Sequence, residues 1–144
     1  MIAFFDTSVY VPLFRGLVHK EEPLGAAEGY VLRLSPIVAS ELLRAANPES
    51  RRRVEDLIAS LLPIEPPSWR RSWLEAGRVL PKVFPDHDEV GISRLQNDCL
   101  LALTARHNGA ILIAADRHFE KLARALRFQL KLLPAAGARQ GSKR

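Results

Sequence analysis

"NDCLLALTARHNGAILIAADRHFEKLA", residues Asn97 to Ala123, decides how this chain folds. Asn97–His107 is rich in leucine and alanine and reads as a helix. Asn108-Gly109 stops it, because glycine takes up the left-handed conformation that closes a helix. Ala110–Ala114 is an apolar run without polar alternation, which is how a strand buried on both faces reads. Helical spacing resumes over Arg117–Leu126. A helix, a buried strand and a second helix are the repeating parts of a parallel sheet covered on both faces. The run also holds an oddity, since the strand leads straight into a carboxylate, Asp116.

The same oddity opens the chain. In IAFFDTS, Ile2 to Ser8, a short apolar strand over Ile2–Phe5 runs into Asp6. A helix is predicted over Ser8–Leu17, with Pro12 near its first turn where proline is tolerated. Tyr30–Leu34 is a second strand. Ser35 then caps a helix with Pro36 at its first position, running to about Ala46. Pro48–Leu62 is helical, with Arg51, Arg52 and Arg53 on its solvated side. Leu62–Glu65 reads as a short strand, Ser68–Leu80 as a helix with Trp69 and Trp73 on one face, and Phe128–Leu132 as the last strand. The fold class is therefore α/β, a three-layer α/β/α arrangement with a mainly parallel central sheet. One domain is expected over residues 1–134, with a basic, solvated tail over 135–144.

The chain has 144 residues, 47% of them hydrophobic, and a net charge of +5. That is enough for one core, and the charge favours an acidic partner such as nucleic acid. A single cysteine, Cys99, excludes internal disulfides and thiolate metal cages, and suits a reducing cytoplasm. It is expected to be a buried apolar residue. The apolar opening is too short for a signal peptide or a membrane span.

In a parallel sheet all strand ends that carry the next loop lie on one edge, where ligands bind. Asp6 and Asp116 therefore share that edge. The helix from Asn97 runs antiparallel to the strand that follows it, so its first turn, with Asp98, returns there. Glu41 lies roughly 7–8 Å down the helix that begins at Pro36 and can reach back, because helical side chains tilt toward the N-terminus. Each acid alone is explained by helix capping or the helix dipole. Together they would repel, and no nearby motif offers an obvious buried basic partner. A divalent cation resolves the conflict. Oxygen ligands without a histidine pair or thiolates point to Mg²⁺ or Mn²⁺. An acidic metal site in a basic protein suggests phosphate chemistry on a polyanion. Arg117, Lys121 and Arg124 share a helical face beside the site and are candidate substrate contacts. Trp69 and Trp73 are read as core or dimer contacts, His118 as a surface neighbour, and the acidic run Asp86, Asp88 and Glu89 as a solvated turn.

At FFDTSV, SPIVASELLRA and NDCLLALTARHNGAILIAADRHFEKLA the chain resembles the PIN-domain ribonucleases, and among them the VapC toxins of VapBC toxin–antitoxin pairs. The resemblance covers nearly the whole chain, and the third piece is the most specific. It implies that Asp6, Glu41, Asp98 and Asp116 form the family's acidic quartet, with Ser8 supporting Asp6. It implies a Mg²⁺- or Mn²⁺-dependent endoribonuclease with an RNA substrate, a cognate antitoxin and a homodimeric state. Two positions depart from the family pattern. Ala115 stands where Thr or Ser is frequent, and His118 where a further acid sometimes stands, and both changes weaken a second metal position.

Two other enzyme classes are excluded by residues. A haloacid dehalogenase-type phosphatase needs a second aspartate where Ser8 stands, and a receiver domain needs paired acids after the first strand. The remaining alternative is a non-catalytic PIN-like RNA- or protein-binding module with degraded metal ligation.

Overall fold

Four strands build a parallel sheet in the order β2-β1-β3-β4. β1 is Ile2–Phe5 and β2 is Val31–Arg33, paired with Ile2 opposite Val31. β3, Ile111–Ala114, lies on the other side of β1, with Phe5 opposite Ile113; β4, Gln129–Leu132, extends the sheet past β3. The computed structural model describes residues 1–86 and 91–135. The expected basic tail, beyond Ala135, and the acidic residues Asp88 and Glu89 lie outside them.

Seven helices complete the fold among the described residues: α1 (Thr7–Phe14), α2 (Glu21–Ala26), α3 (Pro36–Ala45), α4 (Pro48–Ser60), α5 (Trp69–Val83), α6 (Ile92–Asn108) and α7 (His118–Leu126). α3 packs on α1 and α4, while α5, α6 and α7 pack on one another, giving the three-layer α/β/α arrangement. The core between the layers is apolar. Phe4, Leu112 and Ile113 from the sheet meet Val38, Leu100, Phe119 and Leu122 from the helices, all fully buried.

The local signals read from the sequence account for most helix ends. Ser35 Oγ accepts the Ile37 N–H at 3.2 Å, with Pro36 at the first position of α3. Asn47 and Ser50 close a reciprocal cap at the start of α4. Gly109 ends α6 with φ +60°, a conformation in which an added Cβ is strained.

The structure departs from the predicted elements in five places. α2 was not foreseen, because a six-residue helix containing Pro23 and Gly25, without a side-chain cap, is too short to show a period. The predicted strand at Leu62–Glu65 is one parallel bridge, Leu34 to Pro63, and a proline has no N–H with which to continue a ladder. α5 passes through Pro81 to Val83, and the Phe84 N–H still reaches the Leu80 carbonyl at 2.9 Å. The buried stripe of α5 is Ser72, Ala76 and Leu80, so Trp73 is exposed, while Trp69 donates to Glu65 at 3.0 Å. Finally, α6 starts at Ile92 rather than Asn97, behind an N-cap glycine, Gly91, that carries no side-chain signal. Asp98 therefore sits in the second turn, not the first.

The order of the strands fixes where a ligand can bind. The chain leaves β1 for β2 on one side and later returns to β3 on the other. The carboxyl ends of β1 and β3 flank this reversal, which is where open α/β sheets hold ligands. Asp6 and Asp116 follow those two strands.

Candidate metal centre

Asp6 continues β1 by one ladder bond, its N–H donating to the Ile113 carbonyl at 2.9 Å. Its carboxylate turns back to cap α1, accepting the Ser8 N–H at 3.1 Å. Only 5% of Asp6 is exposed. Burial pushes its carboxyl up, Ser8 and Thr7 pull it down, and the Asp116 charge adds to the rise. Ser8 supports the site in a second way. Its Oγ accepts the Ala115 N–H at 2.9 Å, tying the loop after β3 to the loop after β1. Ser8→Ala leaves that N–H without this partner and is expected to cost about 1 kcal/mol in chemical denaturation. An unchanged unfolding midpoint would remove Ser8 from the support of the edge.

Glu41 reaches back from α3, as the tilt of helical side chains allows. Its Oε1 accepts from Thr7 Oγ1 at 3.0 Å. Burial raises its carboxyl and the Asp6 charge adds to that, against hydrogen bonds from Thr7 and Asn97. Asp98, on α6, is 7% exposed. Its carboxyl is pushed up to about 8 by burial first, then by the charges of Asp6, Asp116 and Glu41, with Arg94 opposing. The four predicted acids thus converge on one edge and feel one another electrostatically.

Asp116 behaves differently. Burial works against its charge, but the His118 N–H at 3.0 Å and the Arg94 guanidinium at 2.5 Å outweigh it, and the carboxyl lies below the usual carboxylate range. Arg94, which the sequence reading did not name, supplies a basic partner to Asp116, but an exposed one rather than a buried one. Among the described residues, Arg94 binds Asp116 directly and Arg44 acts on Glu41 by its charge, against four carboxylates. The early start of α6 explains the miss, since Arg94 and Asp98 are four apart on the same helix and face the same way.

His118 is the second residue missed. Read as a surface neighbour, it is partly exposed, and it also falls with Asp98 and Asp116 in a group whose candidate ligand atoms all lie within 4.8 Å of one another. His118 Nδ1 is 3.0 Å from Asp116 Oδ1, but the geometry is not that of a hydrogen bond, and the atom is buried without a partner. Its sequence signal was weak: a histidine two residues past a strand-end aspartate is ordinarily just the start of a helix.

The donor set fits a hard divalent cation. Among the buried polar residues, Asp6 and Ser35 cap helices, and Thr104 donates to the Leu100 carbonyl at 2.8 Å. Asp98 Oδ2 is buried with no hydrogen-bond partner. A buried carboxylate oxygen left so is costly unless a ligand meets it. Asp98 and His118 each carry a buried side-chain atom without a hydrogen-bond partner, and both belong to the group that also includes Asp116. Carboxylate oxygens suit Mg²⁺ or Mn²⁺, and the imidazole nitrogen shifts the balance toward Mn²⁺. Asp6 and Glu41 stand outside the 4.8 Å group and border it.

The basic candidates are exposed on and beside α7. Arg117 pairs with Glu120 at 3.6 Å, the Lys121 ammonium lies 5.6 Å from the Phe84 ring centre, and Arg124 faces solvent. Arg53, read as part of a solvated face, is engaged: it donates to the Phe14 carbonyl at 2.7 Å and stacks on the Phe14 ring. Cys99 is fully buried, and its thiol is pushed up to about 12, as an inert core residue would be. No described helix is long and apolar enough to cross a membrane.

Comparison with known proteins bears on this geometry. The family model for the PIN domain matches residues 3–125. No curated protein sequence matches the chain. Among solved structures, VapBC2 from Rickettsia felis, bound to a DNA fragment from its promoter, is similar at 18% identity and a TM-score of 0.58, covering 92% of this chain and 99% of that one. VapBC-1 from nontypeable Haemophilus influenzae is similar at 20% identity and a TM-score of 0.63, covering 92% and 98%. At such identities the likeness is one of fold.

Proposed function

Because the chain belongs to the PIN-domain family, we propose that it is a Mg²⁺- or Mn²⁺-dependent endoribonuclease, and the toxin of a toxin–antitoxin pair. The observation that carries this reading is the meeting of Asp6, Glu41, Asp98 and Asp116 at the reversal between β1 and β3, with Asp98 Oδ2 buried and unmatched.

Asp98, Asp116 and His118 are the residues that would hold the ion, with Asp6 beside them. Chemically, such an ion supplies a water acidic enough to attack phosphorus near neutral pH and a positive charge for the leaving oxygen. The protein's own residues set the conditions. Asp6 is fixed by the α1 cap, Asp116 by the His118 N–H, and Ser8 holds their two loops together. Glu41, oriented by Thr7 and with its proton affinity raised by burial, would take a proton at the site's border. Arg117, Lys121 and Arg124, on the exposed side of α7, supply positive charge for the flanking phosphates.

The antitoxin partner is supported by the VapBC complexes of similar fold, and a second copy of the chain by the neighbouring exposed side chains Trp73 and Leu74. The experiment is cleavage of single-stranded and looped RNA with Mg²⁺, with Mn²⁺ and with chelator. Metal-dependent cleavage supports the reading. Ala115, together with the ion pair at Asp116, favours a second reading, a non-catalytic binding module. Lack of cleavage on any RNA, with no metal uptake by calorimetry, would select it.

A further inference from the structure

Arg94 is an unusual side chain for its position. It lies in the first turn of α6, where a helix dipole disfavours positive charge, and that turn holds no acid of its own. Its side chain is 61% exposed, so burial does not hold it in place. Yet its guanidinium donates to Asp116 Oδ2 at 2.5 Å, and the charges of Asp98 and Asp6 act on it as well. Asp116 is thereby held at both oxygens, Oδ1 by the His118 N–H and Oδ2 by Arg94.

We propose that Arg94 is a built-in counter-ion that competes with the metal for Asp116 Oδ2, so that metal loading displaces the guanidinium and Arg94 sets the metal affinity of the site. The proposal rests on the metal-binding reading above and adds a residue to it. An ion drawing Asp116 and Asp98 together draws on the same carboxylate that the guanidinium now holds, and it is repelled by the guanidinium's charge. Being long and exposed, the Arg94 side chain can leave without disturbing the core. Displaced, it stays within reach of the same edge, where RNA phosphate would arrive.

The test is calorimetric titration of the RNA-free protein with Mn²⁺ in wild type, Arg94→Gln, Arg94→Lys and Arg44→Gln. Arg94→Gln is expected to bind Mn²⁺ roughly three- to fivefold more tightly, the scale of an exposed ion pair. Arg94→Lys keeps the charge without the fork and should fall between the two. Arg44 acts on Glu41 through its charge, and Arg44→Gln should shift affinity less than Arg94→Gln does. Equal or weaker binding by Arg94→Gln, or an equal gain from Arg44→Gln, would overturn the competition while leaving the metal reading standing. A wild type that takes up no Mn²⁺ would overturn both.

Discussion

Replacing Asp98 with asparagine will lower metal-dependent RNA cleavage on the order of 10²- to 10³-fold, the usual cost of deleting a group that organises charge at a reacting phosphate. Asparagine keeps the shape of the side chain and removes the charge. The variant should fold, because the charge is what the fold resists: Asp98 is buried among acids, and its carboxyl is pushed up to about 8. Metal-free Asp98→Asn should therefore be at least as stable as wild type above neutral pH. The two readouts move in opposite directions, which a damaged fold cannot imitate. Cleavage within about fivefold of wild type, on a matched RNA and with saturating Mn²⁺, would take Asp98 out of the site.

The metal-free protein will lose stability as pH rises from about 4 to about 8. The sign follows from the raised carboxyl. The folded state keeps the Asp98 proton up to about 8, whereas the unfolded chain releases it near the ordinary value of 3.8. The stabilisation is full below the unfolded value and is lost as pH climbs through the folded one. Each unit of separation is worth about 1.4 kcal/mol, so the loss reaches several kcal/mol and a Tm drop of roughly 10 °C. Asp6 and Glu41 are raised as well and act in the same direction. Asp116 is lowered and acts oppositely, but its contribution is lost only as pH falls toward the acid end, outside this window. Saturating Mn²⁺ at pH 8 should restore most of the loss, because it binds only the folded state. Thermal melts at pH 5 and pH 8, with and without Mn²⁺, decide the matter. A flat or rising metal-free profile would show that the acids are not forced together.

The fold was legible because its decisive segment carries redundant signals. Asn108-Gly109, the unbroken run Ile111–Ile113 and Asp116 all agree on a helix, a buried strand and a strand-end acid. The four acids were legible for a topological reason: once the sheet is parallel, strand ends and the starts of the neighbouring helices share an edge. What escaped was local. α6 begins with Gly91, which caps through backbone geometry alone, so the reading started at Asn97 and hid the Arg94–Asp98 spacing. His118 was not singled out because its closeness to Asp98 and Asp116 comes from the folded edge, which neither spacing nor composition reports. Thr7, beside the better-marked Ser8, proved to be the residue that orients Glu41.

Crystals grown with Mn²⁺ and measured at a wavelength sensitive to manganese test the central claim most directly. The expected result is one strong anomalous peak about 2 Å from carboxylate oxygens of Asp98 and Asp116, next to Asp6, with Arg94 moved off Asp116. Saturating Mn²⁺ that leaves these carboxylates without a peak, and the Arg94–Asp116 pair intact, would contradict the account.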